Sequence, residues 1–161
     1  MNKELSRREI RQMAIQALFP LDFNQELTKH DAIVHAIELE HEDMIDEEQE
    51  HFVPAYLDLL VTGVCERKAE LDEIIQKYLR TGWTLKRLSK MDVTILRLAL
   101  FEMLYVDNVP NKVVLNEAIE LTKVFSDDQS RKFVNGILSN VNNEIEASKQ
   151  ASFFIFILKL C

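Results

Sequence analysis

The chain has 161 residues, which is the size of one ordinary domain, and its 47% hydrophobic and 29% charged residues support a folded core. Its two cysteines, Cys65 and Cys161, exclude a disulfide framework, so a reducing, cytoplasmic location is expected. No segment has the roughly 18–20 apolar residues of a membrane-spanning helix, and the charged N-terminus does not resemble a signal peptide.

The net charge of −8 comes from one segment. Residues 38–50 contain eight acidic residues and no Lys or Arg, so the rest of the chain is neutral overall. Because a phosphate backbone responds to local charge, a basic cluster elsewhere in the chain can still bind nucleic acid.

Helices are the only regular structure that the sequence predicts. The three glycines and three prolines are too few for a many-turned β fold, and apolar residues recur with a helical period. The predicted helices cover 5–19, a second segment that starts at the Thr28–Asp31 capping pair, then 53–64, 71–79, 91–106, 113–124 and 133–141. We therefore expect an all-α domain of about seven helices, packed as two helical subdomains.

Several residues predict where these helices end. Pro20 is expected to end or kink the first helix, and residues 81–84 are predicted to form a turn. Leu85 and Leu88 suggest one short helical turn after it. Ser126 with Gln129 is a candidate capping box for the last helix.

A basic cluster lies at the N-terminus, formed by Lys3, Arg7, Arg8 and Arg11. Arg7 and Arg11 are one helical turn apart, and arginine-rich helices are a recurring RNA-binding device. The alternative is a solvated helix face in which Glu4 and Glu9 pair with the arginines. The residues alone favour this alternative.

Two aromatic residues have a structural and a functional interpretation. Phe133 lies next to Lys132 and could contact RNA, but core packing of Phe133 beside a helix contact at Gly136 is favoured on physical grounds. Trp83, the only tryptophan, is expected in the core rather than as a platform for a base.

Catalytic and metal sites find little support. Glu38-x-x-His41 and Glu48-x-x-His51 have the ligand spacing of di-iron helix bundles, but they lie in a polar, acidic segment. All four histidines, including His30 and His35, are expected on the surface. No phosphate-binding glycine motif and no nucleophile–histidine–acid pattern can be written, so we predict no enzyme, metal or cofactor. A di-metal enzyme that uses His41 and His51 is kept as an alternative.

The C-terminal segment 148–161 is unusual because residues 152–161 are almost entirely apolar. This tail is too short to span a membrane. It could pack onto the domain, pair with another chain or remain exposed.

Five motifs resemble one known family in their order and spacing. They are S-R-R at 6–8, A-I-Q-A-L-F at 14–19, I-L-R-L-A-L-F-E at 95–102, V-P-N-K-V-V-L-N-E-A-I-E-L at 109–121 and R-K-F-V-N-G-I-L at 131–138. This combination is similar to the NusB antitermination family and extends to about residue 147. The resemblance implies a NusB-like helical RNA-binding domain at 1–147, followed by the atypical tail.

The resemblance also implies a function and its residues. It implies a factor that binds boxA-type RNA of nascent ribosomal RNA transcripts together with the ribosomal protein NusE, in an RNA polymerase elongation complex with other Nus factors. By position, the implied RNA-binding residues are Lys3, Arg7, Arg8 and Arg11, then Lys132 and Phe133, and the implied partner-binding residues are Asp92, Arg87 and Met91. The alternative is a protein-only adaptor without RNA contact. A homodimer that buries the arginine face is a further hypothesis.

Overall fold

The computed structural model describes residues 5–40 and 53–160, and these form seven α-helices without a strand, which confirms the all-α prediction. The helices are α1 (Arg7–Phe23), α2 (Lys29–Glu40), α3 (Ala55–Glu66), α4 (Lys68–Lys77), α5 (Lys90–Tyr105), α6 (Asn111–Phe125) and α7 (Asp128–Leu160). The predicted short turn is also present, as the 3-10 turn Leu85–Arg87 before α5.

Helix α5 is the centre of the fold. Nearly every residue from Asp92 to Met103 is buried, as is typical of a helix with apolar residues on all sides. It packs against α1, α3 and α4 and also against α6 and α7. Helices α1–α3 form one group and α6–α7 a second, and both share α5 in one continuous core.

The helix starts follow local capping chemistry. Ser6 and Glu9 form a capping box at α1, and the predicted cap at α2 is confirmed because Thr28 Oγ1 accepts a hydrogen bond from the Asp31 amide at 3.1 Å. Pro20 does not end α1, since the helix continues to Phe23.

The predicted capping box at the start of α7 is wrong. The cap there is Asp127, whose carboxylate accepts from the Ser130 amide at 2.8 Å. The Ser126 and Ser130 hydroxyls donate instead to the carboxylate of Asp92 on α5, at 3.1 and 2.9 Å. A contact across the fold has replaced the local one that the sequence suggested.

Arg97 joins α5 to two other helices. Its guanidinium makes a paired contact with Asp72 of α4, at 2.7 and 3.0 Å, and lies 3.3 Å from Asp22 of α1. Lys68 also donates to Asp22. Although burial opposes it, these hydrogen bonds and charges hold the pKa of Asp22 below its usual range.

The tail continues α7 without a break. The large apolar side chains between Phe153 and Leu160 are 41–71% exposed, so the alternative in which the tail packs onto the domain is wrong. In the described part of the chain, no helix combines the length and apolar character needed to cross a membrane.

Two glycines have opposite surroundings. A Cβ atom built on Gly63 of α3 would lie only 2.0 Å from Cζ of Phe101 on α5, so the buried Phe101 ring occupies the space that a side chain at this position would need. Gly136 of α7 has nothing within 4 Å of such an atom. The close approach expected at Gly136 is therefore wrong, and Gly63 has that role.

Gly63→Ala should destabilise the protein, because overpacking a core by one methyl group costs about 1–3 kcal/mol or more. The matched control is Gly136→Ala, which should be neutral or stabilising by about 0.5–1 kcal/mol because it removes a helix-interior glycine in open space. Urea unfolding of both variants gives the comparison. Equal stabilities would contradict the close α3–α5 contact.

Candidate nucleic-acid interface

The first turn of α1 carries two exposed arginines, Arg7 and Arg8. The Ser6 cap starts the helix immediately before them and so fixes their direction. Lys3, the first residue of the predicted basic cluster, lies outside the described residues.

Arg11 does not belong to this exposed surface. Only 4% of the residue is accessible, and its guanidinium makes a paired contact with the carboxylate of Glu102 on α5, at 2.7 and 2.9 Å. Burial opposes the charge, but the hydrogen bonds and the charge of Glu102 raise the pKa of Arg11 above its usual value. Because its donors face inward, the structure replaces the predicted RNA contact of Arg11 with a structural role.

Tyr56 of α3 completes this buried contact. Its hydroxyl donates to Glu102 Oε2 at 2.7 Å, so the Glu102 carboxylate holds both α1 and α3. Burial and the hydrogen bond to Glu102 raise the pKa of Tyr56 to about 12, and the phenol therefore stays a donor at neutral pH. The sequence placed Tyr56 only in the apolar pattern of α3, and no local signal marked this contact.

Arg7 lies on the face of the Tyr56 ring. Its Cζ atom is 3.5 Å from the ring centroid, which is a close cation–π contact. Arg7 is exposed and forms no ion pair with any residue in the ranges 5–40 and 53–160. Within those ranges, no ion-pair partner occupies its N–H donors.

Arg8 has a different environment. Its Nε and Nη2 donate to the two carboxylate oxygens of Glu117 on α6, at 3.1 and 3.0 Å. This contact raises the pKa of Arg8. The side chain of Arg8 is still 57% exposed, so it adds positive charge at the surface while Glu117 occupies its paired donors.

The second predicted RNA-contact region is on α7. Lys132 is exposed, whereas Phe133 is half-buried and packs against the core, as the structural interpretation of its position expected. Helix α7 packs against α6, and α6 contacts α1 through the Arg8–Glu117 pair. Helix α6 is thus the structural link between the two regions.

The predicted partner-binding residues lie at the start of α5 and differ in exposure. Arg87 is exposed and its guanidinium lies 5.0 Å from the Trp83 ring, which is 45% exposed rather than in the core as predicted. Met91 is half-buried. Asp92 is only 7% exposed and binds the two serines described above, so the structure gives it a role in joining helices instead of a direct contact.

The metal alternative rests on residues that the structure describes only in part. Within the ranges 5–40 and 53–160, no three His, Cys, Asp or Glu side chains are arranged to hold a metal ion. His41, Glu48 and His51 lie outside those ranges. His30 and His35 are exposed, as expected.

Comparison with known proteins identifies the family. A model of the NusB family matches residues 8–143. A transcription antitermination protein NusB of Enterococcus faecalis is 61% identical over 144 residues, which cover 89% of this chain and 94% of that protein. The chain belongs to the NusB family. The relatives that match the chain in sequence are named transcription antitermination proteins.

Solved NusB structures show the same fold. The chain is similar to a structure of T. maritima NusB with a TM-score of 0.74 and 30% identity, covering 88% of this chain and 94% of that one. It also resembles a chain in the crystal structure of NusB and NusE in complex with double-stranded RNA, with a TM-score of 0.71 and 24% identity over 86% of this chain and 96% of that one. At that identity the second likeness shows the fold alone.

Arg11→Ala should lower the free energy of unfolding by about 3–5 kcal/mol, because it leaves the Glu102 carboxylate buried without its cation. Arg8→Ala is the matched control, since it breaks an ion pair at the surface, where such pairs contribute little to stability. Thermal or urea unfolding at neutral pH measures both. A fully stable Arg11→Ala protein with impaired RNA binding would return Arg11 to the RNA site.

Proposed function

We propose that this NusB-family protein binds boxA-type single-stranded RNA of nascent ribosomal RNA transcripts together with NusE, and acts within the RNA polymerase elongation complex. The observation that carries the proposal is the exposed Arg7, supported by Tyr56 and without an ion-pair partner among the described residues. Arg8 adds a second charge in the same helical turn.

The electrostatics of the site agree with a phosphate ligand. The chain carries a net charge of −8, but the eight acidic residues of 38–50 account for all of it. Arg7 and Arg8 therefore provide a local positive surface that can attract an RNA backbone. Lys3 precedes Arg7 by about one helical turn in sequence and is proposed to extend this surface.

Lys132 is a further proposed contact. It is exposed near the start of α7 and can bind a phosphate as a point charge. Phe133 is proposed to act mainly by packing on the core and holding Lys132 in place, because it is half-buried there.

We propose that NusE binds at the start of α5, through Met91 and Arg87. Asp92 supports this surface indirectly, since its carboxylate connects α5 to the α6–α7 junction. Asp92 precedes Glu102, the partner of Arg11, by ten residues, or about 15 Å of helix at 1.5 Å per residue. We propose that RNA and NusE bind at these two separate positions along α5.

The protein-only adaptor is the second candidate. It is favoured by the pairing of Arg8 with Glu117 and of Arg11 with Glu102, which leaves fewer free cations than the sequence suggested. An adaptor would bind NusE without any contribution of Arg7 to RNA affinity. The homodimer remains a hypothesis that the mass of the protein in solution would test.

We also propose that the RNA-binding domain ends near residue 147. The family match stops at residue 143, Ile145 is the last apolar side chain that packs against the core, and the side chains from 146 to 160 are exposed.

The double variant Arg7→Ala/Arg8→Ala should weaken binding of a labelled boxA RNA and reduce its salt dependence. Each phosphate contact to single-stranded RNA contributes about 0.7 to the slope of log K against log salt, so the slope should fall by about 1.4. Fluorescence anisotropy at several salt concentrations, with and without NusE, gives both quantities.

The control is Arg80→Ala/Lys86→Ala, which removes the same charge from exposed positions between α4 and α5. It should keep the wild-type slope. Wild-type RNA binding by the Arg7→Ala/Arg8→Ala variant would contradict the assigned site and favour the adaptor.

Met91→Glu should weaken NusE binding by roughly tenfold or more, because a charge replaces an apolar contact at the interface centre. Val113→Glu is the control, since Val113 is an exposed apolar residue at the end of α6 opposite to Ser126, the residue that contacts Asp92. Calorimetric titration with purified NusE measures both affinities. Equal effects of the two variants would place the partner elsewhere.

A further inference from the structure

The Arg7–Tyr56 contact has the dimensions of a stack. With Cζ 3.5 Å from the ring centroid, the guanidinium lies over the ring face at van der Waals distance. One face of the guanidinium is covered by Tyr56. The exposed position of Arg7 leaves the opposite face, here called the outer face, accessible to solvent.

The ring beneath Arg7 is held rigidly. The Tyr56 hydroxyl donates to Glu102, and the Glu102 carboxylate also accepts hydrogen bonds from Nε and Nη2 of the buried Arg11. Side chains from α1 and α5 thus hold the hydroxyl end of the Tyr56 ring in place. An exposed side chain such as Arg7 normally loses conformational entropy when a ligand orders it. Because the contact with Tyr56 already restricts Arg7, less entropy is lost when a ligand binds.

We propose that an unpaired nucleobase of the bound RNA stacks on the outer face of the Arg7 guanidinium, so that base, guanidinium and Tyr56 ring form one column. Unpaired RNA bases stack on arginine planes as they do on aromatic rings. Tyr56 is then a positioning residue that acts through Arg7. The inference rests on the proposed RNA-binding function and adds the kind of contact that Arg7 makes.

Arg8 provides an internal contrast. Glu117 occupies its paired donors, and no described aromatic ring lies beneath it. Its contribution to RNA binding therefore depends on charge, which lysine also supplies. Lysine should therefore be able to replace Arg8 but not Arg7, although the two arginines are adjacent in the same helical turn.

The test compares Arg7→Lys with Arg8→Lys, using a single-stranded boxA RNA with and without NusE. Arg7→Lys keeps the charge but removes the flat group, so affinity should fall roughly 5- to 150-fold, the usual effect of one lost base stack. The salt slope should not change, because the number of phosphate contacts is the same. Arg8→Lys should bind within about twofold of wild type.

A spectroscopic readout separates stacking from charge. Placing 2-aminopurine at successive positions of the RNA should show one position whose fluorescence changes on binding to the wild-type protein and not to Arg7→Lys. Tyr56→Phe keeps the ring and should keep the signal, whereas Tyr56→Leu should lose it. If Tyr56→Leu does not fold, the Arg7→Lys spectrum decides the question.

The outcomes are distinguishable. Wild-type affinity for Arg7→Lys, with weak binding by Arg7→Ala, would overturn the stack and leave the proposed function intact. Full binding by Arg7→Ala and Arg8→Ala would remove the RNA site itself. The absence of RNA binding by the wild-type protein with NusE would overturn both.

Discussion

The buried contact between Arg11 and Glu102 determines how the N-terminal helix sits on the core. Removing two charges from water costs several kcal/mol per ion, and only good geometry with full hydrogen bonding offsets this. Here the guanidinium matches both carboxylate oxygens, and the Tyr56 hydroxyl binds the same carboxylate. One acidic side chain on α5 therefore orients α1 and α3, and with them the exposed first turn of α1.

This arrangement gives three arginines of one short segment three different roles. Arg11 stabilises the fold, Arg8 lies on the surface in a paired contact with Glu117, and Arg7 rests on Tyr56 without an ion-pair partner among the described residues. The same guanidinium group thus stabilises the fold, adds surface charge or faces a ligand, depending on the residues around it. The acidic composition of the chain does not prevent this, because the acidic segment 38–50 is separate in sequence.

Helix α5 organises both ends of the molecule. Near its C-terminal end Glu102 holds α1, and near its N-terminal end Asp92, the residue after Met91, joins α5 to the α6–α7 junction. A mutation of Asp92 would therefore change the proposed partner surface without touching the partner.

The sequence by itself determined the helices, their order and the family, because a 3.6-residue apolar period and most caps are local properties and the five motifs are specific. The sequence also placed the arginines at the start of the first helix, where the proposed RNA-binding surface lies. Only the tertiary structure assigned their roles, since Glu102 is 91 residues from Arg11 and Tyr56 is in another helix. The same reason explains the errors at Trp83, Gly136 and the Ser126 cap. Exposure, close approach and hydrogen-bond partners depend on helices that meet in space and are distant in sequence.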